Sequence, residues 1–496
     1  MAAMALPEPA TLLGAIDTSV PVYQISSKIH NGLLSYGPEF EPRPELAISW
    51  AIAPNQLSAT FKLRGGVKWH DGEAFTSSDV AFTIMKVIKI FHPRGRSTFA
   101  NVAAVETPDL LTVVFRLNAP IPYLLKVLSS AETPIIPKHI FETSPDPRQN
   151  PRANAPIGTG PFKFVQWERG SYILLTRNPN YWVSGRPYLD KIAYRVMPDQ
   201  GARQVALESG EVLLGSPNPV PFGQLSSMLK PGTLAAANFG LKALGNMAFL
   251  EFNLDDAKLK DVRVRRAIAH AINRDFIIKY IYFDYAGPAT GPVSHELKEF
   301  YTPDVTPYPY DPKQAEQILD EAGYVRKDGI RMSLTLDPAP WDIRFRQTAE
   351  FIREALRPIG IQVELRSSDA AEYLHRVYKA RDFQLINYAI SNMMDPTIGV
   401  ERQYLSQSIG KGIPFTNASG YRNSTVDADL LAARSEAAPE RRRALWIEVQ
   451  QQVMRDLPTF PLLNEDELTV YNKKVQGLHS DLLGAYGTFT DLWIRA

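Results

Sequence analysis

Proline punctuates this 496-residue chain from end to end, 39 times. Each ring fixes one backbone angle and removes one donor, so the chain must be built from many short elements joined by ordered loops rather than from a bundle of long helices. Between the prolines the hydrophobic period keeps switching. Apolar and polar residues alternate over 111–117, 192–196, 332–336 and 361–365, which predicts strands, while one-sided apolar faces over 262–272, 314–322, 345–356 and 441–454 predict helices. An α/β class follows.

A chain this long exceeds one ordinary core, so two or three lobes are expected, and 45% hydrophobic residues suffice to fill them. Basic and acidic residues number 54 and 53, a net charge of +1. That balance offers no general attraction to nucleic acid or to an anionic membrane. There is no cysteine, which excludes disulfides, thiolate nucleophiles and cysteine metal sites, and suits an oxidising compartment. No apolar run reaches the roughly 18 residues that a spanning helix needs, so no membrane insertion is expected. The start, Met1-Ala-Ala-Met-Ala-Leu-Pro7, has neither the basic head nor the apolar core of a secretory signal and reads as a mature sequence.

The most informative stretch is Leu63-Arg-Gly-Gly-Val-Lys-Trp-His-Asp-Gly-Glu-Ala-Phe-Thr-Ser-Ser-Asp-Val-Ala-Phe-Thr83. It leaves a strand-like alternation, passes a turn at Asp71-Gly72, and reaches Thr76-Ser-Ser-Asp79, whose side chains suit the start of a helix. The block resembles the extracytoplasmic solute-binding proteins of the dipeptide, oligopeptide and nickel class, which feed ABC importers. Further segments are similar to that family in the same order: Ile25-Ser-Ser-Lys-Ile-His-Asn-Gly-Leu-Leu34, taken as its opening strand and loop, then Pro44 to Trp50, Pro156-Ile-Gly-Thr-Gly-Pro-Phe162 and Arg177-Asn-Pro-Asn-Tyr-Trp182. Phe249-Leu-Glu-Phe-Asn253, Asp261 to Asp275 and Tyr310 to Gly323 continue it. The resemblance therefore covers nearly the whole chain. It implies a two-lobe periplasmic-binding-protein fold, type II-like and of cluster C: a first lobe over 1–246 with an extra subdomain at about 46–165, a second lobe over 247–466, and a return over 467–496. Two strands would form the hinge, and the lobes would close on a small-molecule ligand for delivery to permease subunits. Periplasmic localisation and a monomeric state are expected on the same ground. No cofactor or metal is implied.

The family's peptide binders carry an aspartate four positions before a proline in a second-lobe loop, where it pairs with the peptide ammonium. The matching loop here is Asn387-Tyr-Ala-Ile-Ser-Asn-Met-Met-Asp-Pro396, and that position is Asn392. An amide accepts a hydrogen bond but cannot neutralise a cation, so a neutral or anionic ligand fits better. Asp395, just before Pro396, reads first as a helix N-cap, and second as a ligand carboxylate if the register slips. Tyr388 and Ser391 flank Asn392. Trp341 follows a predicted strand and offers a stacking face, or else a partly buried packing residue. Ser26 and His30 would end the opening strand, His30 more as a hydrogen-bonding group than as a metal ligand. Glu251 is the odd charge in an apolar run, turned either to solvent or to the ligand. Arg422 suits a carboxylate or phosphate, or simply solvent, with Phe415 and Tyr421 beside it as walls.

Catalytic signatures are lacking. There is no Gly-x-Ser-x-Gly elbow, phosphate loop or dinucleotide fingerprint, and His295-Glu-Leu-Lys-Glu299 has no histidine at its fifth position. The chain reads as a binding protein rather than an enzyme, taking a non-peptide polar solute such as an oligosaccharide, opine or conjugate. A di- or oligopeptide is the alternative. A hydrolase, or a sensor or holdase use of the same fold, stands further off.

Overall fold

The computed structural model describes residues 2–496 except Pro38, Phe239, Gly240, Lys242, Ala243 and Lys411. The Leu63–Thr83 stretch folds as its residues dictate. Strand Ser58–Leu63 leads into a turn with Gly72 at φ +101°, a conformation glycine adopts without strain. Thr76 and Asp79 then cap helix Ser77–Phe82 reciprocally. Asp79 also accepts from the Lys138 amide at 2.9 Å, and the His70 carbonyl accepts from Lys163 Nζ at 2.9 Å, so the block ties distant loops together. The two glycines of Pro156–Phe162 serve close approach: a Cβ on Gly158 would stand 1.8 Å from the Ile29 carbonyl oxygen, and Gly160 donates to that oxygen at 2.8 Å.

The chain divides into two units, 1–243 with 467–496, and 244–466. In the first, a seven-stranded sheet runs in the order Leu234–Ala237, Thr469–Asn472, Leu214–Gly215, Ala2–Leu6, Lys191–Val196, Tyr172–Arg177, Phe162–Glu168. A separate four-stranded antiparallel sheet is built from Ala47–Ile52, Ser58–Leu63, Thr112–Leu117 and Val102–Asp109. One expectation is corrected here. The first half of the segment read as an opening strand and loop, 25–29, is the end of helix Val20–Ile29. Pro21 suits the first helical turn, and Val22, Ile25 and Ile29 recur at helical spacing and are fully buried. Ser26 and His30 therefore sit at a helix end rather than a strand end.

The second unit carries a six-stranded mixed sheet in the order Ala286–Pro288, Thr459–Glu465, Asn246–Phe252, Leu385–Ser391, Met332–Pro338, Ile361–Leu365. Its central strands are buried on both faces, the reason they read as apolar runs. Helices Val262–Ala271, Pro312–Glu321, Ile343–Leu356 and Pro439–Asp456 match the predicted helical faces within two residues. Among the described residues no helix is long and apolar enough to cross a membrane.

Candidate functional site

Strand Asn246–Phe252 enters the second unit from the first and pairs antiparallel with Leu385–Ser391, Asn246 opposite Ser391. One end of the sheet therefore gathers Asn246, Ser391, Asn392 and Glu465. Ser391 Oγ donates to Asn246 Oδ1 at 3.2 Å, the Asn246 amide donates to Glu465, and the Tyr282 hydroxyl donates to Glu465 at 2.7 Å. Burial raises the Glu465 carboxyl above the usual range, although Arg344 nearby opposes this. Arg344 lies 4.9 Å above the Tyr282 ring and is paired with Asp342, which caps helix Ile343–Leu356.

Asn392 is fully buried. Its Oδ1 accepts from the Ser294 amide at 2.5 Å, whereas Nδ2 is buried without a hydrogen-bond partner. Gly399 fixes this position from behind, since a Cβ there would stand 2.4 Å from the Asn392 carbonyl. Three residues on, Asp395 caps helix Pro396–Gly399 by accepting from the Thr397 amide at 3.0 Å. Both of its oxygens also receive Arg442, at 2.6 and 2.9 Å, and both side chains are buried. That carboxylate is matched internally by one guanidinium, the geometry that makes a buried charge tolerable.

Beside this end, Trp341 remains 44% exposed. Its ring meets the edges of Tyr373 at 5.2 Å, Phe415 at 5.7 Å and Phe345 at 6.4 Å, so one aromatic face is braced from behind. Tyr388 is buried in the core against Phe249 and receives a hydrogen bond from Gln403 at 2.9 Å.

The structure does not gather all the predicted residues. Glu251 faces neither solvent nor Asn392. It shares a strand face with the core residues Met247 and Phe249 and accepts from the Ser419 amide at 2.5 Å, with the Tyr388 hydroxyl beside the same carboxyl. Burial pushes its pKa up to about 7, against these hydrogen bonds and the Arg381 charge, which lower it. Alternation fails as a guide because both faces of this strand are covered. Tyr421 and Arg422 lie at the opposite end of the sheet: the Leu254 amide, just past Phe252, donates to Ser419, and the seven-residue strand between spans roughly 20 Å. Tyr421 is buried and donates to Asp456 at 2.5 Å. In the first unit, Ser26 Oγ accepts from the Gly14 amide at 3.0 Å and contacts His30 Nδ1 at 3.2 Å. His30 is fully buried, and desolvation brings its pKa down to about 4, which keeps it neutral. Among the described residues no cluster suited to a metal ion occurs.

A family model described as "Bacterial extracellular solute-binding proteins, family 5 Middle" matches residues 41–411. The chain belongs to that family. It is 33% identical over 431 residues, 84% of this chain and 77% of the relative, to a protein of Brucella ovis named "Putative ABC transporter peptide-binding protein". The glutathione-binding protein GsiB of Salmonella choleraesuis is 26% identical over 91% of this chain and 86% of its own. The oligopeptide-binding protein AppA of Bacillus subtilis, solved with a nonapeptide, superposes with a TM-score of 0.86 at 25% identity, covering 100% of this chain and 99% of its own. As a family 5 member the chain is the solute-binding component of an ABC importer, and these relatives are named as binding proteins rather than enzymes.

Sequence reasoning overlooked Glu465, Asn246, Ser294 and Arg344. Glu465 closes an apolar strand just before the chain leaves this unit, and Asn246 opens the strand that enters it. A polar residue at each crossing was the available signal. Ser294 gave none, since its contact is distant in sequence, and of Arg344 only the local pairing with Asp342 was within reach of the sequence.

Proposed function

We propose that this family 5 protein works in the periplasm as a monomer and delivers to the permease subunits of its importer a polar solute other than a peptide: an oligosaccharide, an opine or a related conjugate. The observation that carries this reading is Asn392. Where a peptide binder would offer a carboxylate to an ammonium, this chain offers a neutral amide whose oxygen is taken by Ser294 and whose buried N–H lacks a partner. That donor suits a hydroxyl, carbonyl or carboxylate oxygen. Burying an ammonium against it would cost several kcal/mol. Ser391 and the exposed Trp341 face add a hydroxyl and a stacking surface suited to a ring. Asp395 is left out of the proposed site because Arg442 and the Thr397 amide occupy its carboxylate. Tyr388, Glu251, Ser26 and His30 support their own units from within, Phe415 braces Trp341, and Tyr421 and Arg422 belong to the other end of the sheet.

A second reading, a di- or oligopeptide, is favoured by the names of the relatives and by Glu465, a buried carboxylate at the same end that Asn246 and Tyr282 already hold in place. Thermal-shift assays on refolded, ligand-free protein separate the two. One pool holds di- to pentapeptides and the other oligosaccharides and opines. A ligand at about 100 times its dissociation constant adds roughly 2.7 kcal/mol of apparent stability. A shift with the non-peptide pool alone is expected, and a shift with peptides alone moves the ammonium partner to Glu465.

A further inference from the structure

At the end of the second unit's sheet remote from Asn392, a cavity of about 550 Å³ opens between the start of helix Val262–Ala271, the end of helix Pro439–Asp456 and the Gly420–Arg422 loop. Lys260, Arg265, Arg266, Arg422 and Arg455 line it together with two carboxylates, Asp255 and Asp456. The two carboxylates offset only part of that charge, and each has further partners. Asp255 pairs with Arg381, outside the lining, at 2.6 Å. Asp456 accepts from the Tyr421 hydroxyl at 2.5 Å, the Asn423 amide at 2.8 Å and the Gln452 amide at 3.0 Å.

The cations are held mostly by neutral groups, although Arg422 also stands 3.6 Å from Asp255. Arg265 is buried, and its guanidinium is locked by the carbonyl oxygens of Leu259, Lys260, Asp456 and Leu457 at 2.5 to 3.0 Å. Carbonyl dipoles hold that guanidinium rigidly, and the nearby charges of Asp456 and Asp261 favour its cationic form. Arg266 donates to the Arg455 carbonyl at 2.9 Å, while its Nε is buried with no partner. Arg455 donates to the Gln452 side-chain oxygen at 2.7 Å, and Arg422 to the Gly420 carbonyl at 2.9 Å. Several positive charges thus converge on a concave, partly walled space where water screens them less than on an open surface.

We propose that this cavity is an anion site, separate from the solute site, that takes a small polyvalent oxyanion, either a phosphoryl compound or a polycarboxylate. The bound anion balances the surplus of cations over carboxylates, through charge-assisted hydrogen bonds from Arg266, Arg422 and Arg455 around the fixed field of Arg265. Five cations against two carboxylates in the lining leave a surplus of three, which matches an anion of charge two to four, and a volume of about 550 Å³ admits one of that size.

The test is isothermal titration of the whole chain with inorganic pyrophosphate and, separately, citrate, against sodium chloride at matched ionic strength. Arg265 is left intact because it ties four carbonyls together. The variants are Arg422→Gln and the double variant Arg266→Gln with Arg422→Gln, each checked for folding by circular dichroism, and Asn392→Asp serves as a control for the other site. The expected result is saturable binding of at least one polyanion, weakened tenfold or more in the double variant and unchanged in Asn392→Asp. Binding of pyrophosphate alone assigns the site to phosphoryl compounds, and binding of citrate alone to polycarboxylates. No saturable heat with either anion, an effect reproduced by sodium chloride, or equal affinity in the double variant overturns the proposal.

Discussion

At one end of the six-stranded sheet Asp395 is paired with Arg442 and Asp342 with Arg344, while Glu465 accepts from Tyr282 and Asn246 with Arg344 nearby. At the other end Lys260, Arg265, Arg266, Arg422 and Arg455 surround a cavity with only two carboxylates in its lining, Asp255 and Asp456. The same strands thus terminate in two chemically different places. Where the charges are already matched, what remains to be offered is neutral, the Asn392 N–H and the Trp341 face. Where cations are left over, the site offers charge. On the proposed reading, a ligand of the first end is selected by hydrogen bonding and ring stacking, and a ligand of the second by valence.

Breaking a match at the first end should have the largest effect. Asp395→Ala strands the buried Arg442 guanidinium and removes a helix cap, so urea denaturation should show a loss of about 3–5 kcal/mol. Glu251 lies on the strand between the two ends and gives a pH-dependent effect. Its carboxyl ionises in the unfolded chain near 4.5 but in the fold only at about 7. The unfolded chain therefore gives up its proton first, and stability falls as pH rises through that window, then levels off. Glu251→Gln should remove this component, on the order of 3 kcal/mol, so the difference between variant and parent grows from pH 4.5 to 7 and stays flat above. A pH-independent difference would mean that the carboxyl is not desolvated.

Asn392→Asp sharpens the contrast at the first end, because it places a carboxylate in a buried position that has a single amide donor. Binding of the non-peptide solute should weaken about 10- to 100-fold, roughly 1.4–2.7 kcal/mol by calorimetry. Unchanged affinity would place Asn392 outside the site. Trp341→Ala removes three edge contacts from a half-exposed ring, and a stability cost of about 1 kcal/mol is expected with a clear loss of solute affinity. The smallest effect belongs to the outer end, where Arg422→Gln should change stability by less than about 0.5 kcal/mol, since that side chain is largely solvated.

The fold class was legible because periodicity reports burial. The helices at Val262–Ala271 and Ile343–Leu356 and the strands at Met332–Pro338 and Ile361–Leu365 have the pattern their packing requires. The segment 25–34 misled because its strand reading came from likeness, while Pro21 and the Val22, Ile25, Ile29 spacing pointed to a helix. At the candidate site, the capping role of Asp395 followed from the proline after it. Its partner Arg442, 47 positions away, carried no local signal. Glu251 and Arg422 show the same limit. Which end of a strand a side chain serves depends on pairing register and on what covers the second face, and neither is written in the local sequence.

The central claim is that the first end of the sheet selects a solute without relying on an ammonium. Its most direct test is native mass spectrometry of protein expressed with a secretion signal, purified from the periplasm without refolding, and released into denaturant to identify what it carried. The account predicts a mass that fragments as a sugar, opine or related conjugate. A ladder of amino-acid residue masses, marking a bound peptide, would contradict it.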